Sequence, residues 1–221
     1  MRIQDRETAG RLLSAAVGRQ DLDDPVVVGI GPGGLAVGAG IARSLNCPLD
    51  ILEVVELHVG DALHPNRAFG ALTGDGHVLI HPTALEHLSS DPEAVRDAVR
   101  RARSGAGRRA DIDTANGHGH HPHPGRAVPT AWRSVVLVDD GTSPREVITA
   151  AVDLVRAGRP GRVVLAMPTA PQELIDDLAR VTGDVVVATV APWVEWFHWH
   201  GHLYEDDRVP SGEQVTELLA R

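Results

Sequence analysis

His198, His200 and His202 alternate within WFHWHGHLYEDD, and in an extended segment alternate residues share a face. Three imidazoles so placed can converge on one ion, with Glu205, Asp206 or Asp207 close behind. Such a set suits zinc or another transition metal such as copper, nickel or iron. A second tract, GHGHHPHPG, carries His118, His120, His121 and His123 among glycine and proline. That composition also describes solvated low-complexity chain that picks up nickel adventitiously. Nearer the N-terminus, VVVGIGPGGLAVGAGIA contains GIGPGG, which fits the G-x-G-x-x-G loop of dinucleotide-binding folds, and Glu53 or Glu56 lies at a suitable distance for a ribose hydroxyl. Gly31, Gly33 and Gly34 would equally be needed if they only let a helix press close to a sheet. In VVLVDDGTSPREVITAA, two carboxylates, Asp139 and Asp140, close an apolar run and are followed by Gly141 and a helix start.

Five of the seven aromatic residues, Trp193, Trp196, Phe197, Trp199 and Tyr204, fall in one short stretch beside the second histidine tract. Trp196, Trp199 and Tyr204 could stack on a flat ligand or exclude water from it. The same cluster would serve as a hydrophobic plug or as the contact of a homodimer.

Composition removes several classes of function. The formal net charge of -9 argues against a nucleic-acid partner or an anionic membrane, either of which calls for a basic face. All 21 basic residues are arginine, so neither Schiff-base chemistry nor a phosphate-loop lysine is open to the chain. One cysteine, Cys47, allows no internal disulfide, and the opening MRIQDRETAGRLL lacks the apolar core of a signal peptide. The expectation is a cytoplasmic protein acting on a small-molecule substrate, with no membrane contact.

The elements that must carry these residues alternate along the chain. Ile3, Leu12, Leu13, Ala16 and Val17 have the spacing of an opening amphipathic helix. PVVVGI reads as a buried strand, 34–45 as a helix and PLDILEVVEL as a second strand. Short β segments follow near AFGALT and HVLIHP, then a polar helix in DPEAVRDAVRRAR. Residues 104–134, rich in Gly, Pro, Arg and His, read as a long flexible loop or lid. SVVLVDDG, RVVLAMP and DVVVATV are strands of the continuously apolar kind, with helices at 144–157 and 171–181 between them. Strands buried on both faces and alternating with helices predict an α/β fold, a doubly wound parallel sheet with helices on both faces, forming a single domain over 1–221. In such a sheet ligands sit beyond the carboxyl ends of the strands where strand order reverses, which selects the loops 29–36, 56–66 and 139–146. The segment 191–221 is expected to fold across that cleft.

Four apolar residues, two acids, a glycine and a following loop resemble the signature of the type I phosphoribosyltransferases. The resemblance covers most of the chain and is strongest to one bacterial group of them. It extends to DRETAGRLL before the first strand, IARSLNCPLDILEVVEL, HPNRAFGAL, RVVLAMPTAP and HLYEDDRVPSGEQV, in that order. It implies a site for 5-phosphoribosyl 1-pyrophosphate, magnesium and an acceptor base, and makes the opening glycine loop a pyrophosphate loop. Displacement of pyrophosphate would pass through an oxocarbenium-like transition state. Asp139 and Asp140 would hold ribose hydroxyls and offset its charge, and Gly141, Thr142, Ser143 and Arg145 would cradle the 5-phosphate at a helix N-terminus.

The chain departs from that pattern in its anion-binding positions. Pro32 stands where the family has Arg, Val55 and Glu56 where it has a basic pair, and Pro144 to Val147 where it has Thr-Gly-x-Thr. Ser143, Pro144, Arg145 and Glu146 instead spell a capping box, with Ser143 as the cap and Glu146 reaching back to it. Such a helix start would satisfy its own donors and place a carboxylate where a phosphate should sit. Three classes of function therefore follow: a divergent phosphoribosyltransferase acting on a phosphoribosyl or related sugar phosphate, a metal-dependent enzyme using His198, His200 and His202 on the same fold, and a non-catalytic ligand-binding or partner protein.

Overall fold

The computed structural model describes residues 2–59, 67–73, 78–80, 92–115, 128–192 and 203–220. In chain order its elements are α1 (Arg6–Val17), β1 (Val26–Ile30), α2 (Gly31–Leu45), β2 (Leu49–Leu52), β3 (Val54–Val59), β4 (Arg67–Thr73), β5 (Val78–Ile80), α3 (Pro92–Ala115), β6 (Ser134–Val138), α4 (Arg145–Ala157), β7 (Arg162–Ala170), α5 (Gln172–Thr182), β8 (Asp184–Val190) and α6 (Gly212–Leu219). They fall into two compact units, one of 1–52 with 128–221 and one of 53–127.

The first unit is built on a parallel sheet of order β2-β1-β6-β7-β8. Every residue of β1 and β6 is buried, as strands covered on both faces must be, and this is why VVVGI and SVVLV show no polar alternation. Strand order reverses between β1 and β6, and their register, Gly29 beside Val138, brings both strand ends to one level. The chain thus leaves β1 at Gly31 next to where it leaves β6 at Asp139. Helices α1 and α2 pack on each other, while α4 and α5 pack on each other. The core under α1 and α2 joins Ala9, Leu13, Val17, Val37 and Ile41 to Val27, Val136, Val138 and Val164 of the strands. Val215 of α6 packs on Leu35 and Ile51.

The opening helix starts later than its apolar spacing predicts. Asp5, in an extended conformation, accepts the Thr8 amide at 2.7 Å and caps α1, while Ile3 lies outside it and forms a parallel bridge with Tyr204. The second helix begins earlier than expected, at Gly31 rather than residue 34.

PLDILEVVEL is not one strand. Glu53 separates β2, parallel to β1, from β3, which pairs antiparallel with β4 in the other unit. An unbroken apolar run carries no signal for a change of sheet, so the sequence hides the boundary. Within the first unit, buried Asp50 accepts the amide of Ile51 at 2.8 Å and that of Val128 at 3.1 Å, which ties the returning chain to β2.

The second unit is an antiparallel sheet of order β3-β4-β5 with α3 against it, and Leu57, Phe69, Leu72 and Ala98 form its core. Helix α3 runs on to Ala115, so the first part of the expected loop at 104–134 is helical. Arginine and alanine, both strong helix formers, dominate RRARSGAGRRADIDTA and outweigh its two glycines. Residues 116–127 of that segment, with the first histidine tract, lie outside the described residues. Among the described residues no helix is long and apolar enough to cross a membrane.

Candidate active site

The end of β6 carries Asp139 and Asp140 to the switch point, but neither projects freely into solvent. Asp140 turns toward α1 and the start of α2. Its Oδ2 accepts Arg6 Nε at 2.8 Å and Arg6 Nη2 at 2.8 Å, and its Oδ1 accepts the Thr142 amide at 3.2 Å and the Thr142 hydroxyl at 2.6 Å. A Cβ at Gly33 would lie 2.2 Å from that Oδ2 and 3.2 Å from Arg6 Nε, so only glycine leaves room for the pair. Gly34 is fixed by a different approach, since its Cβ would lie 2.3 Å from the Val138 carbonyl oxygen where α2 presses on β6. The close-approach reading of these two glycines accounts for both.

Asp139 is wholly buried. Its Oδ1 accepts the Gly141 amide at 2.8 Å, and its Oδ2 has no hydrogen-bond partner among the described residues. Burial, and after it the charge of Asp140, push its pKa up to about 7, against the opposing pull of the Ser143 hydroxyl and the Gly141 and Ser143 amides. A buried acid with one unsatisfied oxygen and a raised pKa at a strand end marks this place as a candidate site.

Arg6 organises the surroundings. Besides gripping Asp140 it donates from Nη1 to the carbonyls of Asp207 at 2.9 Å and Arg208 at 3.1 Å, and its guanidinium lies 4.5 Å over the Tyr204 ring. The Tyr204 hydroxyl donates to the backbone carbonyl of Asp140 at 2.6 Å. Burial first, then Asp140, raises the pKa of that hydroxyl, so it stays a donor. Backbone bonds from Ile3 to Leu203 and from Glu205 to Ile3 hold this C-terminal segment beside α1.

The surroundings of the acids differ from the expectation in three ways. Pro144, not Ser143, is the N-cap of α4, and no side chain caps that helix. The capping box is absent, since Ser143 lies one residue before the N-cap. A true capping box does occur at α6, between Ser211 and Gln214. Arg145 does not fold over the loop; its Nε is bonded to Asp177 of α5. Tyr204 is not a free stacking surface, because it is 1% exposed between Arg6 and the Asp140 carbonyl.

Gly31, Gly33, Asp139, Asp140, Gly141, Thr142 and Ser143 are thus brought to one place, with Gly31 and Gly141 both at positive φ, +61° and +83°. Arg145 is held away from it. Trp196, Trp199, His198, His200 and His202 lie outside the described residues. Among the described residues no three His, Cys, Asp or Glu side chains are grouped as a metal site. Arg6 is the residue that sequence reasoning passed over. A signal existed: a cation in the first turn of a helix opposes the helix dipole and needs a partner elsewhere.

No family model matches the chain. It is 31% identical, over 99% of its length, to a Mycobacterium tuberculosis protein named "Putative phosphoribosyl transferase", found in two strains. Its structure is also similar to the crystal structure of TT1426 from Thermus thermophilus, with a TM-score of 0.73, 31% identity, and coverage of 99% of this chain and 98% of that one. Along nearly its whole length the chain is thus similar to a protein named "Putative phosphoribosyl transferase". Its parallel sheet flanked by helices is the fold class expected from the sequence, and Asp139 and Asp140 stand just beyond the end of β6. The chain spans about half the length of the curated relatives it matches, 46%.

Proposed function

We propose that this chain is a phosphoribosyltransferase-type enzyme that binds a phosphoribosyl or related sugar-phosphate substrate over the ends of β1 and β6. The observation that carries the reading is the unpartnered Oδ2 of Asp139, buried beside a helix start with no side-chain cap, at the switch point of a parallel sheet. An uncapped helix N-terminus favours an anion such as a 5-phosphate, and Thr142 and Ser143 are the partly exposed hydroxyls at its mouth. Displacement of pyrophosphate from the sugar builds positive charge at the anomeric carbon, which a nearby carboxylate stabilises.

Of the two acids, Asp139 is the one with a free acceptor, because both oxygens of Asp140 are already bonded. A ribose hydroxyl reaches Asp139 once the loop 141–144 shifts outward. Magnesium fits as an ion carried by the diphosphate of the donor, since the described residues offer no set of ligands to hold it alone. It would supply charge neutralisation of the leaving group.

The test is calorimetric titration with 5-phosphoribosyl 1-pyrophosphate and magnesium at pH 6 and pH 8, for the wild type and Asp139→Asn. A hydroxyl donor is accepted best by the anion, so wild-type affinity is expected to rise between the two pH values and the variant to bind weakly at both. Absence of binding by the wild type, or the same pH response in both proteins, would refute the reading.

A further inference from the structure

Two adjacent buried carboxylates cannot both stay ionised without a counter-charge. Among the described residues one cation is bonded to them, Arg6, and it is itself held by four partners. Its Nε and Nη2 meet Asp140, its Nη1 meets the carbonyls of Asp207 and Arg208, and its face meets Tyr204. The guanidinium thus bonds at both ends while stacking on a ring, and its charge is what faces the carboxylate of Asp140. Its first-turn position in α1 is electrostatically unfavourable for a cation, so the helix gains nothing from its charge. Glycine at 33 leaves room for this pair, as a Cβ there would strike the Asp140 carboxylate and crowd Arg6 Nε.

We propose that Arg6 is the positioning residue of this site: by gripping Asp140 through two bonds, it leaves Asp139, whose Oδ2 is unbonded, as the carboxylate that answers to the ligand. This rests on, and deepens, the phosphoribosyl reading of the same site. The arrangement divides labour between two chemically identical side chains. Asp140 becomes the near negative charge that helps hold a proton on Asp139, and Tyr204, facing both acids from the C-terminal segment, stays neutral and adds no further charge. Ser143 opposes Asp140 from the loop. Asp206 and Arg208 are paired with each other at the surface. Arg6 also links the acids to the carbonyls of 207 and 208, so the C-terminal segment and the charge distribution of the pair are set together.

The experiment is a carboxyl-carbon NMR titration of aspartate-labelled protein, for the wild type, Arg6→Gln, Arg6→Lys and Asp140→Asn. In the wild type one buried aspartate, Asp139, is expected to titrate near neutrality. In Arg6→Gln the pair should take up about one additional proton at neutral pH, so that two resonances move there, and Arg6→Lys should restore the single transition. In Asp140→Asn the like charge is gone and Arg6 is released, so the Asp139 midpoint should move to lower pH. An unchanged titration in Arg6→Gln overturns the proposal, as does a failure of Arg6→Lys to restore the wild-type pattern. If Arg6→Gln does not fold, an Asp139 midpoint that fails to fall in Asp140→Asn overturns it alone. Failure of the wild type to bind magnesium 5-phosphoribosyl 1-pyrophosphate would remove the substrate reading and leave these titrations standing. Normal binding with an unperturbed titration in Arg6→Gln would remove the role of Arg6 alone.

Discussion

Replacing Gly33 by alanine places one methyl group where the structure has none to spare. The new carbon would stand 2.2 Å from Asp140 Oδ2, 2.8 Å from its Cγ and 3.2 Å from Arg6 Nε, and real Cβ contacts do not fall below 3.0 Å. The carboxylate must therefore retreat by nearly an ångström, which stretches both 2.8 Å bonds to Arg6 beyond hydrogen-bond range. Helix α2 cannot turn inward to relieve the clash, because Gly34 already rests on the Val138 carbonyl. Removing one partner of a buried ion pair costs about 3 to 5 kcal/mol, and separating two partners that both remain falls at the low end of that range, so the expected loss for Gly33→Ala is about 3 kcal/mol. Equilibrium urea unfolding followed by far-ultraviolet circular dichroism reads this as a fall in midpoint of about 1 M or more. Two controls isolate the cause. In an Asp140→Gly background the same substitution should cost under about 1 kcal/mol, since the carboxylate it strikes is gone. Gly31→Ala, with open space around its Cβ and φ of +61°, should cost only the roughly 1 to 2 kcal/mol of a left-handed alanine. A Gly33→Ala protein within about 1 kcal/mol of the wild type, or an undiminished loss in the Asp140→Gly background, would refute the reasoning.

Asp139 keeps its proton in the folded protein up to about pH 7, whereas the unfolded chain releases it near 3.8. The folded state binds more protons in that window, so this group makes stability fall as pH rises from about 4 to about 7, by up to about 1.4 kcal/mol per pH unit, and Asp139→Asn should flatten that slope in urea unfolding at a series of pH values. Tyr204→Phe keeps the ring under Arg6 but strands the Asp140 carbonyl, and thermal or urea unfolding should show a loss of about 1 to 2 kcal/mol. Ser211→Ala removes a real capping box and should cost about 1 kcal/mol, measured the same way. Ser143→Ala breaks no cap and should instead raise the Asp139 midpoint in an NMR titration, because the Ser143 hydroxyl favours its anion.

What the sequence discloses and what it conceals follow from the range of the interactions involved. The apolar runs VVVGI and SVVLV report burial on both faces directly, so the parallel sheet and its switch point could be read from them. The acidic pair was visible as two charges where an apolar run stops. The partition between the two acids was not, because it depends on Arg6, 134 residues away along the chain. The capping box at Ser143 failed because the helix starts one residue later than local spacing favours, at Arg145 with Pro144 as its N-cap. Tyr204, grouped with the tryptophans by composition, was separated from their expected role by a bridge between residue 3 and itself that no periodicity announces.

Asp50 has a meaning for how the chain is threaded through its first unit. Its carboxylate grips the amide of Val128, so the segment 53–127 leaves and rejoins the first unit at almost the same point. Closing so small a gap takes only a short turn, and the entropic toll of a brief linker from Leu52 to Val128 is low. The parallel-sheet body is therefore a candidate for surgical excision of its insert, and a trimmed chain that kept its helical and β content would show that the excised region is a graft and not a keystone.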